Sequence, residues 1–272
     1  MPLTELQRRI FTLIGSQRTP DSHVAGGTAL HFTPESARYS HDLDLFHDAE
    51  ERVAEAFELD RAVLEAAGFA VDPVLSQPGF IRARVGVDGK ETQIDWAHDS
   101  SWRFMPVVED PLGGYLLHPV DLATNKVLAL AGRDEPRDFV DILYVLERIL
   151  PLGALVWAAV AKDPGYNPLS LLEQLRRRGK LRPEQVARLH LKEPIDLPAA
   201  RSRWNAARED AEVFIQSRPP DEAGCLYFRA ADGVFVEPAS DQTLDEQGVS
   251  VHYGRPGGVL PRPSRQTLEG SG

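Results

Sequence analysis

Apolar and polar positions recur along this chain with two periods. Leu3, Leu6, Ile10, Leu13 and Ile14 fall near one helical face, so residues 3–14 read as an amphipathic helix that Gly15 ends. His23 to Ala25 lead into a turn at Gly26-Gly27, and Thr28 to Phe32 read as a short helix on that turn. From Asp42 to Phe46 the period drops to two. A strand there puts Asp42 and Asp44 on one face and Leu43 and Leu45 on the other. Glu50 to Ala67 predict a helix stopped by Gly68, and Ala70 to Leu75 a strand. FIRARVGV and ETQIDWA, joined through Asp88-Gly89, have the pattern of a hairpin. Helices alternating with strands argue for an α/β or α+β first part.

From Pro119 the pattern turns helical. DLATNKVLALAGR and PRDFVDILYVLERIL are two helices separated by a break around Asp134 to Pro136, with Pro136 suited to a first turn. Further helices are predicted over Leu152–Ala161, Leu169–Arg178, Pro183–His190 and Ala199–Ser217. GCLYFRA and GVFVEP suit a small hairpin, and residues 254–272 a flexible tail. The expected division is 1–115, 116–218 and 219–272, and no internal repeat is found.

Composition narrows the function. The chain has 272 residues, 42% hydrophobic and 26% charged, which suits a soluble globular protein with a sizeable core. No apolar run reaches the roughly 18 residues of a membrane span. The amphipathic start lacks the features of a secretory signal, and the single cysteine, Cys225, excludes an internal disulfide or a multi-cysteine zinc site. The expectation is a cytoplasmic protein with no membrane partner. A net charge of −11 argues against a broad basic surface for duplex nucleic acid, while leaving room for a local basic groove.

Candidate chemistry gathers in GGTALHFTPESARYSHDLDLF, residues 26–46. Two carboxylates at i and i+2 on a strand point the same way and can share a hard cation such as Mg2+ or Mn2+. Asp95, in the second strand of the hairpin, is the candidate third carboxylate. Alone, a pair such as Asp42 and Asp44 is more often a solvated strand face. Gly26 and Gly27 let backbone N–H groups approach a phosphate, with Thr28 in the helix that begins there. They also suit a plain turn. Arg38 offers a planar cation and Ser40 a hydroxyl, or both decorate a loop. Downstream, Lys126 lies inside a helix and reads as an exposed lysine or a phosphate contact. Asp138 and Asp141, three apart, share a face of the next helix and suit its positive end. His31, His41 and His47 have no metal-ligand spacing and read as incidental, His41 excepted as a possible substrate contact. Arg176, Arg177, Arg178 and Lys180 read as the cationic end of a helix, with an RNA-backbone contact as the sharper alternative.

The ordered set GGTAL, then R-x-S-x-D-x-D-x-F, resembles the nucleotidyltransferase superfamily with the DNA-polymerase-beta-like core. More narrowly it is similar to the AbiEii family of abortive-infection and toxin–antitoxin nucleotidyltransferases. KVLALAGRDEPRDFVD, residues 126–141, resembles the family's later motif through Lys126, Arg133, Arg137-Asp138 and Asp141. A weaker likeness lies in RSRWNAAREDAEVFI and GCLYF, so that the resemblance spans about residues 20–230. It implies a core with a mixed sheet flanked by helices, followed by a mainly helical C-terminal domain that completes the active site. It also implies transfer of a nucleotide from a nucleoside triphosphate (NTP). Asp42, Asp44 and Asp95 would hold metal, and Gly26, Gly27, Thr28, Arg38, Ser40, Lys126 and Asp141 would bind nucleotide. Lys126 and Asp138 would join the three carboxylates as catalytic residues. The implied acceptor is the 3′ end of tRNA, and the implied partner an antitoxin protein. Two other readings stand beside this one. One keeps the chemistry on a small molecule or protein hydroxyl; the other is a non-catalytic scaffold, against which all the expected acidic and basic positions are present.

Overall fold

The computed structural model describes residues 3–32, 38–40, 42–112, 114–133, 135–189 and 191–262. Two compact units result. The first holds residues 1–122 with the short pieces 190–193 and 256–258; the second holds 123–189, 194–255 and 259–272.

The first unit opens with helix α1 (Glu5–Ile14). Thr4 caps it: its hydroxyl accepts from Gln7 N at 3.1 Å, and Gln7 Oε1 accepts from Thr4 N at 2.9 Å. Leu6, Ile10, Phe11 and Ile14 are its buried stripe. Strand β1 (Ser22–Val24) is followed by helix α2 (Gly26–Leu30). The helix therefore starts on the glycine pair itself, two residues earlier than the pattern predicts, and Phe32 lies beyond it. An apolar pattern cannot see a start made of two glycines.

Strands β2 (Asp42–His47), β3 (Ala70–Gln77), β4 (Phe80–Val87), β5 (Lys90–His98), β6 (Trp102–Arg103), β7 (Val108–Asp110) and β8 (Gly114–Leu116) follow, with helix α3 (Glu50–Ala66) after β2. All of these strands but β6, together with β1, form one seven-stranded mixed sheet in the order β3-β4-β5-β2-β1-β8-β7. β4 and β5 make the predicted hairpin, and Asp88 and Gly89 both have positive φ, 54° and 74°, as a two-residue type I′ turn requires. At the sheet's centre β2 runs parallel to β5, placing Asp42 opposite Gln93 and Asp44 opposite Asp95.

Helix α3 covers the back of these two strands. Its Phe57 meets Trp96 edge-on at 5.1 Å, and Asp60 accepts from Trp96 Nε1 at 2.8 Å and from Arg18 at 2.5 Å. Leu43, Leu45, Ile94 and Trp96 are fully buried on that side. Fully burying such side chains contributes about 1.5–3 kcal/mol each, which fixes which face β2 turns outward.

The second unit contains the greater part of α4 (Pro119–Gly132), from Ala123 on, and α5 (Pro136–Arg148), α6 (Leu152–Ala159), α7 (Pro168–Arg176), α8 (Pro183–Val186) and α9 (Leu197–Ser217). Every residue of α6 is buried, so it is the unit's core helix. Asn167 caps α7 and Asp196 caps α9. The helix predicted over Pro183–His190 is a single turn ending at Val186, and His190 lies outside the described residues. Strands β9 (Leu226–Arg229), β10 (Val234–Val236) and β11 (Val249–His252) form a small antiparallel sheet in the order β10-β9-β11. Phe214 of α9 meets Trp157 and Tyr227 edge-on, tying helix and sheet together. Among the described residues no helix is long and apolar enough to cross a membrane.

His23 and His47, on the paired strands β1 and β2, are core residues of the first unit. His47 Nδ1 and Nε2 and His23 Nδ1 have no hydrogen-bond partner among the described residues. Burial pushes the His23 imidazole down to about 4 and that of His47 to about 3, with nearby arginines adding to it. Both groups titrate near 6.5 when unfolded, so the unfolded chain binds more protons below that value. Stability is complete above pH 6.5 and falls as pH drops toward 4. His47→Leu is expected to flatten this loss in chemical-denaturation curves taken across the window. Equal acid sensitivity in both proteins would remove His47 from the explanation.

Candidate active site

The front of β2 presents Asp42 and Asp44, both half-exposed, while Leu43 and Leu45 are buried behind them. Gly26 lies against this pair. It has φ +63°, and a Cβ there would overlap Asp44 Oδ2 and sit 2.7 Å from Asp44 Cγ. Ala25 N donates to Asp44 O at 3.1 Å, so the entry to α2 is stitched to the strand beside the carboxylate. The N–H groups of a helix's first turn have no intrahelical acceptor, and α2 begins at Gly26 with Gly27 and Thr28 following.

Thr28 and Ser40 face inward. Thr28 Oγ1 donates to Asp42 O at 2.6 Å and to Ser40 Oγ at 3.3 Å. Ser40 Oγ lies 3.1 Å from Asp42 O and 3.2 Å from Asp42 Oδ1. Gln7 of α1 holds the same segment, its Nε2 donating to Ser40 O at 3.1 Å and to Thr92 Oγ1 of β5 at 3.4 Å. Ser40 is thus a buried brace on the first carboxylate rather than a loop hydroxyl. Arg38 is buried as well, with its NH1 donating to Tyr39 O at 3.2 Å, and a Cβ at Gly27 would stand 2.8 Å from its NH2. His31 is buried after α2, and His41 lies outside the described residues.

Asp95 occupies the position opposite Asp44 on β5 and is nearly buried. Arg82, its antiparallel partner on β4, grips it with two bonds, Nε to Oδ1 at 2.8 Å and NH2 to Oδ2 at 2.6 Å. Gln93 Nε2 adds a third at 3.2 Å to Oδ1. The Asp95 hydrogen bond, and then the charges of Asp95, Asp42 and Asp44, hold the Arg82 guanidinium above its usual range. Among the described residues no group of three or more acidic, histidine or cysteine side chains converges as a metal site. The donor set that fits a divalent cation is the cofacial pair Asp42 and Asp44, with Asp95 turned to Arg82. Arg82 is absent from the motif reading, yet the Asp88-Gly89 turn already implied it. Counting back from Val87 opposite Lys90 brings Arg82 opposite Asp95.

The second-motif residues assemble within the second unit. Lys126 of α4 is buried, its Nζ 2.7 Å from Asp141 Oδ2 and 3.4 Å from Asp138 Oδ1. Arg133 grips the other side of Asp138 with bonds of 2.7 and 3.0 Å. Lys126 is therefore no solvated helical lysine; two carboxylates of α5 fix its ammonium.

The sheet, its two cofacial carboxylates and the glycine turn make up a mixed α/β unit of the form expected for a nucleotidyltransferase core. Comparison with protein families matches residues 16–246 to the nucleotidyl transferase AbiEii toxin family of type IV toxin–antitoxin systems. The chain belongs to that family. Its fold is similar to that of the MenT4 nucleotidyltransferase toxin of Mycobacterium tuberculosis, at 18% identity and a TM-score of 0.51, over 79% of this chain and 83% of that one. JHP933 of Helicobacter pylori aligns at 16% identity and a TM-score of 0.49, over 79% and 95% of the two chains. Comparison with curated proteins finds no match.

Two variants follow from this geometry. Gly26→Ala must bear a left-handed backbone, about 1–2 kcal/mol for an L-residue, and the overlap with Asp44 in addition. Gly68→Ala, at φ +85° with nothing within 4 Å, bears only the first cost. Gly26→Ala is expected to lower Tm clearly more than Gly68→Ala; equal losses would mean that the glycine does not seat Asp44. Lys126→Met takes the ammonium from two buried carboxylates and is expected to destabilise by about 3–5 kcal/mol. Adding Asp141→Asn should restore part of this in urea denaturation, and strict additivity of the two changes would contradict the coupling.

Proposed function

We propose that the protein is a metal-dependent nucleotidyltransferase that moves a nucleoside monophosphate from an NTP to an acceptor hydroxyl. The proposed acceptor is the 3′ end of tRNA, and the proposed setting is that of a toxin restrained by a cognate antitoxin protein. The observation that supports the reading most is the seating of Gly26 against Asp44, beside the cofacial Asp42. Bare backbone, helix-start N–H groups and two carboxylates then adjoin, which is what a triphosphate with its counter-ion requires.

In this reading Asp42 and Asp44 would hold Mg2+ or Mn2+, and the ion would neutralise charge developing on the phosphates and help align the acceptor. The backbone at Gly26, Gly27 and Thr28 meets phosphate oxygens. The Ser40 and Thr28 hydroxyls keep the Asp42 peptide and carboxylate oriented, and Arg38 contributes positive charge beside Gly27. Asp95 carries about four lone-pair positions. Arg82 and Gln93 fill three of them, leaving one on Oδ2 for the proton of the attacking hydroxyl or for a second ion. Lys126 is assigned to a phosphate oxygen, with Asp138 and Asp141 holding its ammonium in place.

The test is incubation with α-labelled nucleoside triphosphates, Mg2+ and total RNA, protein or small molecules. Label on RNA of tRNA size is expected, and Asp42→Ala should lower it by at least a factor of about 100 with Tm unchanged. Label on protein alone would sink the tRNA acceptor. Undiminished transfer by Asp42→Ala would sink the metal assignment.

A further inference from the structure

The second unit holds a pocket of about 370 Å³ lined by six cations, Arg176, Arg178, Lys180, Arg182, Arg201 and Arg208. Its other lining residues are Gly179, Leu181, Trp204 and Asn205, with no carboxylate among them. The chain as a whole carries 41 acidic and 30 basic residues, so six cations together run against its composition. Like charges held in one concavity repel, and a fold gains nothing from that arrangement unless an anion enters.

Two segments build the pocket. Along α9, Arg201, Trp204, Asn205 and Arg208 stand at i, i+3, i+4 and i+7, one helical face. The facing wall is the chain leaving α7, where Gly179 has φ +76° and lies so close to Phe139 and Trp204 that a Cβ would fall 2.7 Å from the Phe139 ring. This reversal sends Arg178, Lys180 and Arg182 to the same concavity.

Among the described residues, only Arg176 of the six is ion-paired with a carboxylate. Arg176 pairs with Glu212 and lies 3.6 Å from Glu173. Arg178 donates to Ala131 O at 3.3 Å, Arg201 to Leu181 O at 2.7 Å and Arg208 to Asn205 Oδ1 at 2.6 Å, all neutral acceptors. Arg208 Nε is buried with no hydrogen-bond partner among the described residues, and its guanidinium lies 6.0 Å from the Trp204 ring centroid. Guanidinium forks match phosphate oxygens, and the indole and the Asn205 amide add contacts suited to a base.

We infer that this pocket binds the phosphodiester backbone of a single-stranded segment of RNA, an inference that rests on nucleotidyl transfer to an RNA acceptor. Helix-terminal charge explains Arg176 to Arg178 alone. It does not explain Arg201 and Arg208, which arrive from the N-terminal half and the middle of another helix, away from its C-terminal end.

The experiment is fluorescence anisotropy of a labelled single-stranded RNA with the full chain, over a salt series. Binding by the unaltered protein should weaken steeply with salt, and Lys180→Glu with Arg182→Glu should reduce affinity at least tenfold. The slope of log K against log salt should fall by about 0.7 for each phosphate that the variant no longer neutralises. A charge-matched control, Arg61→Glu with Arg229→Glu at two exposed arginines outside the pocket, should bind RNA like the unaltered protein. If the double reversal does not fold, Lys180→Gln with Arg182→Gln replaces it, with a smaller loss expected. RNA binding that ignores these substitutions overturns the pocket while leaving nucleotidyl transfer untouched. RNA binding that depends on them, in a protein that transfers no nucleotide, keeps the pocket and removes the transfer reading. Tripolyphosphate bound through these residues with no RNA bound at all would make it a small-anion site and overturn the inference.

Discussion

The parallel pairing of β2 with β5 is the constraint on which the first unit's chemistry depends. A strand's side chains alternate, so a slip of one residue would turn Asp42 and Asp44 into the core and Leu43 and Leu45 out of it. The back of the pair prevents that slip. Trp96 is held by Asp60 and Phe57 of α3, and Leu43, Leu45 and Ile94 pack beside it with no exposed surface. The front inherits its register from the back: Asp44 must stand opposite Asp95 because Leu45 stands opposite Trp96. Burial on one face thus positions charge on the other, and no direct attraction among the carboxylates is needed.

Carboxylates gathered this way repel one another, and the fold answers with cations placed at fixed stations. Arg82 is delivered by the hairpin, its bidentate grip on Asp95 set by the turn at Asp88-Gly89. The pair is partly exposed at Arg82, so its worth to stability is modest; its larger effect is orientation. The cluster of Lys126, Asp138, Asp141 and Arg133 is different in kind. Three of its members are buried, and the desolvation this costs is offset by donors on both Asp138 oxygens and on Asp141 Oδ2. Removing any member there unsettles the fold, which is why loss of activity on changing Lys126 says little until stability has been measured.

Much of this was legible in the sequence because it is local. The period of two over residues 42–46 and the glycine pair gave the carboxylate face and the turn, and the hairpin gave Asp95 its strand. Asp95 was named as the third carboxylate from a neighbouring strand, but its register directly opposite Asp44 was not legible, since parallel strands about 50 residues apart carry no local sign of how they pair. Ser40 and Arg38 read as loop residues, but their burial depends on Gln7 and α2 arriving from elsewhere. His47 read as incidental beside the motif, although the strand's own alternation places it with Leu43 and Leu45 in the core. The strand Val249–His252 was missed because it pairs with β9 across a long irregular connection. The basic pocket needed Arg201 and Arg208 brought against a turn some 20 residues earlier, which only packing reveals.

On the proposed function, an acidic chain that handles polyanions would have to separate two electrostatic tasks. Near Asp42 and Asp44, the proposed divalent ion would carry much of the phosphate charge, with Arg38 beside Gly27 and neutral donors adding to it. Gly26 and its successors offer backbone N–H groups, while Arg82 spends its two forks on Asp95. Where no metal is needed, fixed cations can do the holding, and six of them line the pocket between α9 and the turn after α7. In the proposed function, backbone and carboxylates would make a short-range site for a metal-bearing phosphate group. The clustered guanidinium groups would make a longer-range one, strongly weakened by salt and tolerant of sequence. Holding these charges in different clusters keeps each from cancelling the other, which a single mixed patch of the same residues would not do.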